Sequence, residues 1–170
     1  MLDWVEIQSA LPPRGLAAVR RQATASECER LARELGLLAL SNLDVTFDLK
    51  PRARDRWLFL GTLRAQVEQA CVVSLEPVSS SIEETFEVEF RGADDLPPPQ
   101  AREETLLDQA DIEPMAGDKI PVGRIVYETL AAAIDPFPRR PDATLSPAAS
   151  APKIAADNPF AALAKLKSKP

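Results

Sequence analysis

Leu43-Asp44-Val45-Thr46-Phe47-Asp48-Leu49-Lys50 alternates without a break between apolar and polar residues. Side chains on an extended chain point to opposite faces in turn, so this stretch reads as a strand with one dry face and one wet face. Pro51-Arg52-Ala53-Arg54-Asp55 follows as a turn, and a second alternating run begins at Trp57. Phe59, Leu63, Ala65 and Val67 lie on one face of that run, and Thr62, Arg64, Gln66 and Glu68 on the other. The two runs predict an antiparallel hairpin. Fully extended, Trp57 to Val73 would span about 55 Å, so a bend is expected at Gly61 or at Gln69-Ala70.

Working outward from the hairpin, Ile82, Phe86, Val88 and Phe90 predict a third strand over 82–90, with Ser79-Ser80-Ser81 as the turn before it. On the N-terminal side, Leu2 to Gln8 alternates loosely and is stopped by Pro12-Pro13. A helix is expected over Ala25–Leu35, with a Cys28, Leu31, Ala32, Leu35 stripe. Thr24 with Glu27 and Ser26 with Glu29 both have capping-box spacing, and Gly36 suits a left-handed C-cap. A second helix, Val122–Ile134, is expected to start at Pro121 and bury Val122, Ile125, Val126, Leu130 and Ala133, ending at Asp135-Pro136-Phe137-Pro138. The expected class is α+β: a bent antiparallel sheet, open to partial closure as a barrel, packed with two helices.

The formal charge of −6 is unevenly spread. Residues 92–118 hold eight acids against one base, Arg102, and contain Pro97-Pro98-Pro99, which predicts an acidic loop. Residues 141–170 are rich in alanine, proline and serine and read as a disordered tail behind a domain of 1–140. Within the tail, 158–167 predicts a short amphipathic helix, with Asn158 as N-cap and Pro159 at the first turn. Phe160, Leu163 and Leu166 form its apolar edge and Lys165 and Lys167 its charged end, a candidate partner-binding surface. The densest basic cluster, Lys50, Arg52, Arg54 and Arg56 on the hairpin turn, is a candidate contact for RNA phosphates.

Catalytic chemistry finds little support. There is no histidine, no glycine-rich phosphate loop and no carboxylate pair at catalytic spacing, so neither enzyme activity nor a cofactor or metal is expected. Cys28 and Cys71 are expected to be reduced and buried, and Ala70-Cys71-Val72-Val73 is apolar enough that the Cys71 thiol pKa should rise. An acidic N-terminus with no long apolar run predicts a cytoplasmic protein without membrane contact.

Cys71-Val72-Val73-Ser74-Leu75-Glu76-Pro77 resembles the Cys-x-x-Cys-Leu-x-Pro signature of the YceD family, the large ribosomal RNA subunit accumulation proteins. Asp118-Lys119-Ile120-Pro121-Val122, then Glu128, Leu130 and Pro136, are similar to that family's Asp-x-Ile-Asp-Leu segment and the helix and prolines after it. The tail around Asn158-Pro159-Phe160 resembles that of alphaproteobacterial members. Ser74 stands in place of the second cysteine, so no metal or redox role passes to that pair, and Pro121 stands where an aspartate is common. The resemblance implies a non-enzymatic role in accumulation or processing of 23S ribosomal RNA, through large-subunit RNA, a pre-ribosomal particle or a ribosomal protein. The family's gene commonly neighbours that of a small zinc-ribbon ribosomal protein, which implies a small basic client. The alternative is a structural adaptor that docks its C-terminal helix on an unrelated complex.

Overall fold

The computed structural model describes residues 2–52, 55–96 and 111–144 of the 170. Its strands are β1 (Glu6–Ile7), β2 (Leu16–Gln22), β3 (Ala39–Pro51), β4 (Trp57–Ala70), β5 (Pro77–Arg91), β6 (Asp111–Pro114) and β7 (Lys119–Ile120). The helices are α1 (Ala25–Leu35) and α2 (Val122–Ala133), with short 3₁₀ turns at Gln8–Ala10 and Ala93–Asp95. β2-β3-β4-β5-β6 form one sheet in that order, and β1 pairs with β7 in a second, two-stranded one.

The hairpin alternation becomes the centre of the large sheet. Val45 pairs with Leu63, Leu49 with Phe59, Phe59 in turn with Val88, and Trp57 with Phe90. These residues share one face and are buried, whereas Thr46, Arg64 and Glu83 lie on the solvent face. Arg64 bridges Glu83 there at 2.6 Å. α1 and α2 cover the apolar face and complete a single core with Leu31, Val122, Val126 and Leu130. Thr24 and Glu27, one of the two candidate pairs, make the capping box: Thr24 N–H donates to Glu27 Oε2 at 2.8 Å, and Glu27 N–H to Thr24 Oγ1 at 3.3 Å. The Thr24 N–H holds the Glu27 carboxyl below its ordinary pKa. Gly36 is the left-handed cap, at φ 68°.

Several expectations are corrected. The sheet is mixed, because β6 runs parallel to β5, with Val88 beside Asp111 and Arg91 beside Pro114. The connection over residues 92–110 is long enough to carry the chain back for a parallel start. The sheet is not a closed barrel, since β2 and β6 are its two edges. Residues 92–118 are therefore not loop throughout: β6 lies within them. Ser79-Ser80-Ser81 is not a turn but part of β5, paired with Glu68, Val67 and Gln66. Serines are poor strand formers, but a complete ladder to β4 overrides that weak preference. β2 escaped the sequence reading because Leu16–Gln22 lacks apolar alternation; it is an edge strand with a bulge between Leu16 and Val19.

Gly61 does not bend β4, which pairs unbroken from Trp57 to Ala70. The glycine faces the core between Phe47 and Phe86, where a Cβ would come within 2.8 Å of both side chains and 2.4 Å of the Thr46 carbonyl. Its missing side chain makes room for the aromatic cluster in which Phe59 meets Phe47 at 5.2 Å and Phe86 at 4.7 Å. The expected long strand ends instead at Ala70, where the chain turns through Cys71.

Candidate functional site

The sheet presents three places where function could reside: the β3–β4 turn, the β4–β5 turn, and the space between β5 and α2.

At the β3–β4 turn the backbone is closed by Arg52 N–H donating to the Arg56 carbonyl at 2.7 Å. The Lys50 ammonium sits 2.9 Å from Asp48. Arg56 forms a two-pronged pair with Asp95, its second prong at 2.9 Å, and lies 3.8 Å from Glu89. The Asp95 carboxylate raises the Arg56 pKa. Arg52 makes no side-chain ion pair among the described residues, and Arg54 lies outside them. Of the four cations marked for RNA, two are thus already neutralised by their own fold.

At the β4–β5 turn the structure gathers most of the signature residues. Cys71 N–H donates to the Glu76 carbonyl at 2.8 Å, and Leu75 N–H to the Cys71 carbonyl at 2.9 Å. Leu75 takes a left-handed φ of 62° to close the loop. Pro77 then starts β5. The segment that follows α2 docks here. The Gln69 amide donates to the Asp135 carbonyl at 2.8 Å, Val72 N–H to the Pro138 carbonyl at 2.9 Å, and Arg140 reaches Glu76 at 2.7 Å. Pro136 belongs to this segment. Asp118 and Glu128 do not join it: Asp118 accepts from Ser9, and Glu128 from Arg124 at 2.7 Å along α2.

The Cys71 thiol contradicts its expected shift. It has no exposed surface, yet it lies outside the main core, screened by its own turn. The Ser74 hydroxyl, the Arg140 backbone N–H and the Ser74 and Val73 N–H groups converge on Sγ and bring its pKa down to about 6. The Val73 and Ser74 N–H groups lie 3.4 Å from the sulfur. Cys28 behaves as the sequence suggested for a buried thiol, with its pKa raised by burial against the core. An apolar neighbourhood was the wrong guide for Cys71, because the donors are the Ser74 hydroxyl and backbone N–H groups, one of them from distant Arg140. Its rim is apolar, with Val72, Leu75 and Phe137 all exposed.

The third place was not foreseen. A groove of about 500 Å³ runs between β5 and α2, with Phe86, Val88 and Ile125 in its lining. Glu84, Glu87, Asp111, Glu113 and Glu128 also line it. Arg124 offsets two of them, lying 3.4 Å from Glu113 and 2.7 Å from Glu128. Glu84, Glu87 and Asp111 have no ion pair among the described residues. One signal was legible: Glu84 falls in phase with Ile82, Phe86 and Val88, so the core-facing register of β5 contains a carboxylate.

A family model for the large ribosomal RNA subunit accumulation protein YceD matches residues 59–167. The chain belongs to the YceD family. No curated protein and no solved structure matches it. The YceD match takes in β4 from Phe59 onward, the Cys71 turn, the β5–α2 groove and α2, and starts after the basic β3–β4 turn. Its name describes a factor for accumulation of large-subunit ribosomal RNA and no chemical reaction. No described helix is long and apolar enough to cross a membrane. Among the described residues no group of three or more histidine, cysteine or acidic side chains is placed to hold a metal ion. Phe160, Leu163, Lys165, Leu166 and Lys167, the expected partner-binding helix, lie outside the described residues.

Proposed function

We propose that this YceD-family chain is a non-enzymatic factor in large ribosomal subunit biogenesis, and that it supports 23S ribosomal RNA by binding a basic ribosomal protein in preference to RNA. The charge distribution carries this reading: Lys50 and Arg56 are paired within the fold, whereas Glu84, Glu87 and Asp111 are left for a partner. Phosphate binding releases counterions only from cations that are free to engage it, and carboxylates on a groove favour a cationic protein. On this reading the chain acts in the cytoplasm, where ribosomal proteins meet RNA precursors. The likeness of its tail to alphaproteobacterial members belongs to the same reading.

The test is sedimentation of a tagged chain through a gradient, before and after nuclease treatment. Association with large-subunit precursors, and retention of a basic protein once the RNA is digested, is the expected result. Loss of every partner on digestion would make RNA the ligand. Recovery of a complex unrelated to the ribosome would favour an adaptor that docks through Phe160, Leu163 and Leu166.

A further inference from the structure

β5 is covered unequally. β4 pairs with it from Pro77 to Phe90, but β6 pairs only with Val88 to Arg91. Among the described residues, nothing pairs with the outer edge of β5 before Val88. Unpaired edge N–H and C=O groups are a template for another strand. The groove lies beside this edge: it is lined by residues 84–88 of β5 and by Asp111, the first residue of β6, and α2 forms its far wall. It is therefore a slot that opens beside the part of the β5 edge that β6 leaves unpaired.

We infer that this slot receives an extended, lysine- or arginine-rich segment of a partner protein as an added strand; this deepens the proposed function and rests on it. Glu84 to Val88 spans about 13 Å at ~3.3 Å per residue, enough for four or five extended residues. Alternate side chains of an inserted strand would face Phe86 and Val88 together with Glu84, which share one face of β5, and the others would lie on the face of Glu87. Backbone pairing supplies affinity in such complexes and the alternating pockets supply selection. The partner's sign follows from the rim, where Glu84, Glu87 and Asp111 repel an acidic strand. A second copy of this chain would bring the same edge, with Glu83, Glu84 and Glu87, against itself, and like charges placed opposite each other disfavour pairing.

The test uses the full chain and three synthetic peptides of equal length. One alternates valine and lysine, one alternates valine and glutamate, and one is the lysine peptide with two central valines replaced by proline. The valine–lysine peptide should bind, with affinity falling as salt rises, and should slow hydrogen exchange at outer-edge amides within residues 79–87. The glutamate and proline peptides should bind at least about tenfold more weakly, the first through charge and the second through lost strand pairing. Glu84→Lys with Glu87→Lys should reverse the preference between the lysine and glutamate peptides.

Equal binding of the proline peptide would overturn strand addition. So would protection confined to other amides, or edge amides already protected in the free chain, which would assign the slot to the chain's own residues 97–110. If the peptide results hold but the chain does not sediment with ribosomal precursors, the slot stands and the biogenesis role falls. If the double variant loses the lysine peptide but keeps its ribosomal partner, that partner is held elsewhere.

Discussion

The two ends of β4 make opposite use of their turns. At Arg52–Arg56 the side chains are charged and the fold pairs two cations of the cluster: Lys50 is held by Asp48, and Arg56 by Asp95 and Glu89. At Cys71–Glu76 the polarity is in the backbone and the Ser74 hydroxyl, aimed inward at one sulfur, while Val72 and Leu75 face solvent. The Arg52–Arg56 turn is basic in sequence, but two of the cluster's four cations, Lys50 and Arg56, are paired from within the fold. The Cys71–Glu76 turn is apolar around its cysteine in sequence, yet it folds into a site for an anion, the thiolate. Formal charge in a sequence is thus a poor measure of the charge a surface offers to a partner, because a carboxylate brought from a distant position cancels it.

The largest effect is expected from Gly61→Ala, at the middle of the strand that carries both turns. The added methyl has no free volume between Phe47 and Phe86, and overpacking of this kind costs about 1–3 kcal/mol. Urea denaturation should show the loss, with both ends of β4 loosened together. A stability equal to that of the unmodified chain would mean the aromatic cluster can shift aside. Next, Gln69→Leu should loosen only the Cys71 end. It leaves the Asp135 carbonyl without its donor, at a cost of about 1–2 kcal/mol, and hydrogen exchange should rise at Val72 but not at Arg52.

The titration of Cys71 sharpens the contrast further. Its folded pKa of about 6 lies below the ordinary thiol value, so the thiolate stabilises the fold. That contribution is fully present above the unfolded thiol pKa and is lost as pH falls through about 6. The stability difference between the unmodified chain and Cys71→Ala should therefore grow from about pH 6 upward and level off beyond the ordinary thiol range. Thiolate ultraviolet absorbance should show one group titrating near 6, and Cys28 only above its usual range. A flat stability difference would break the comparison.

The smallest effect concerns RNA. Arg56→Gln and Lys50→Gln should lower the melting temperature slightly and leave the salt slope of RNA binding unchanged, because those cations are already paired. Arg52→Gln would flatten the slope by roughly 0.7–0.9 if this turn touches phosphate. Equal flattening by Arg56→Gln in titrations on ribosomal RNA would show that its pair with Asp95 opens in the complex.

Local patterning alone determined the hairpin, β5 from Ile82 onward, a capping box at the start of α1 in one of two registers, the Gly36 turn and α2, because period-two and period-3.6 burial and capping depend on residues close in sequence. The order of the signature residues was likewise enough to identify the family. Only the tertiary structure decided the mixed sheet, the pairing of Arg56 with Asp95, the donors on Cys71 and the slot between β5 and α2. Apart from the Cys71 donors within its own turn, each of these joins residues tens of positions apart. Alternation assigns a strand a face but not a neighbour, and a charge run reveals cations but not the distant carboxylates that reach them. Glu84 shows both sides of this boundary: its phase placed a carboxylate on the core-facing side of β5, but only the distance to α2 made that position an open groove.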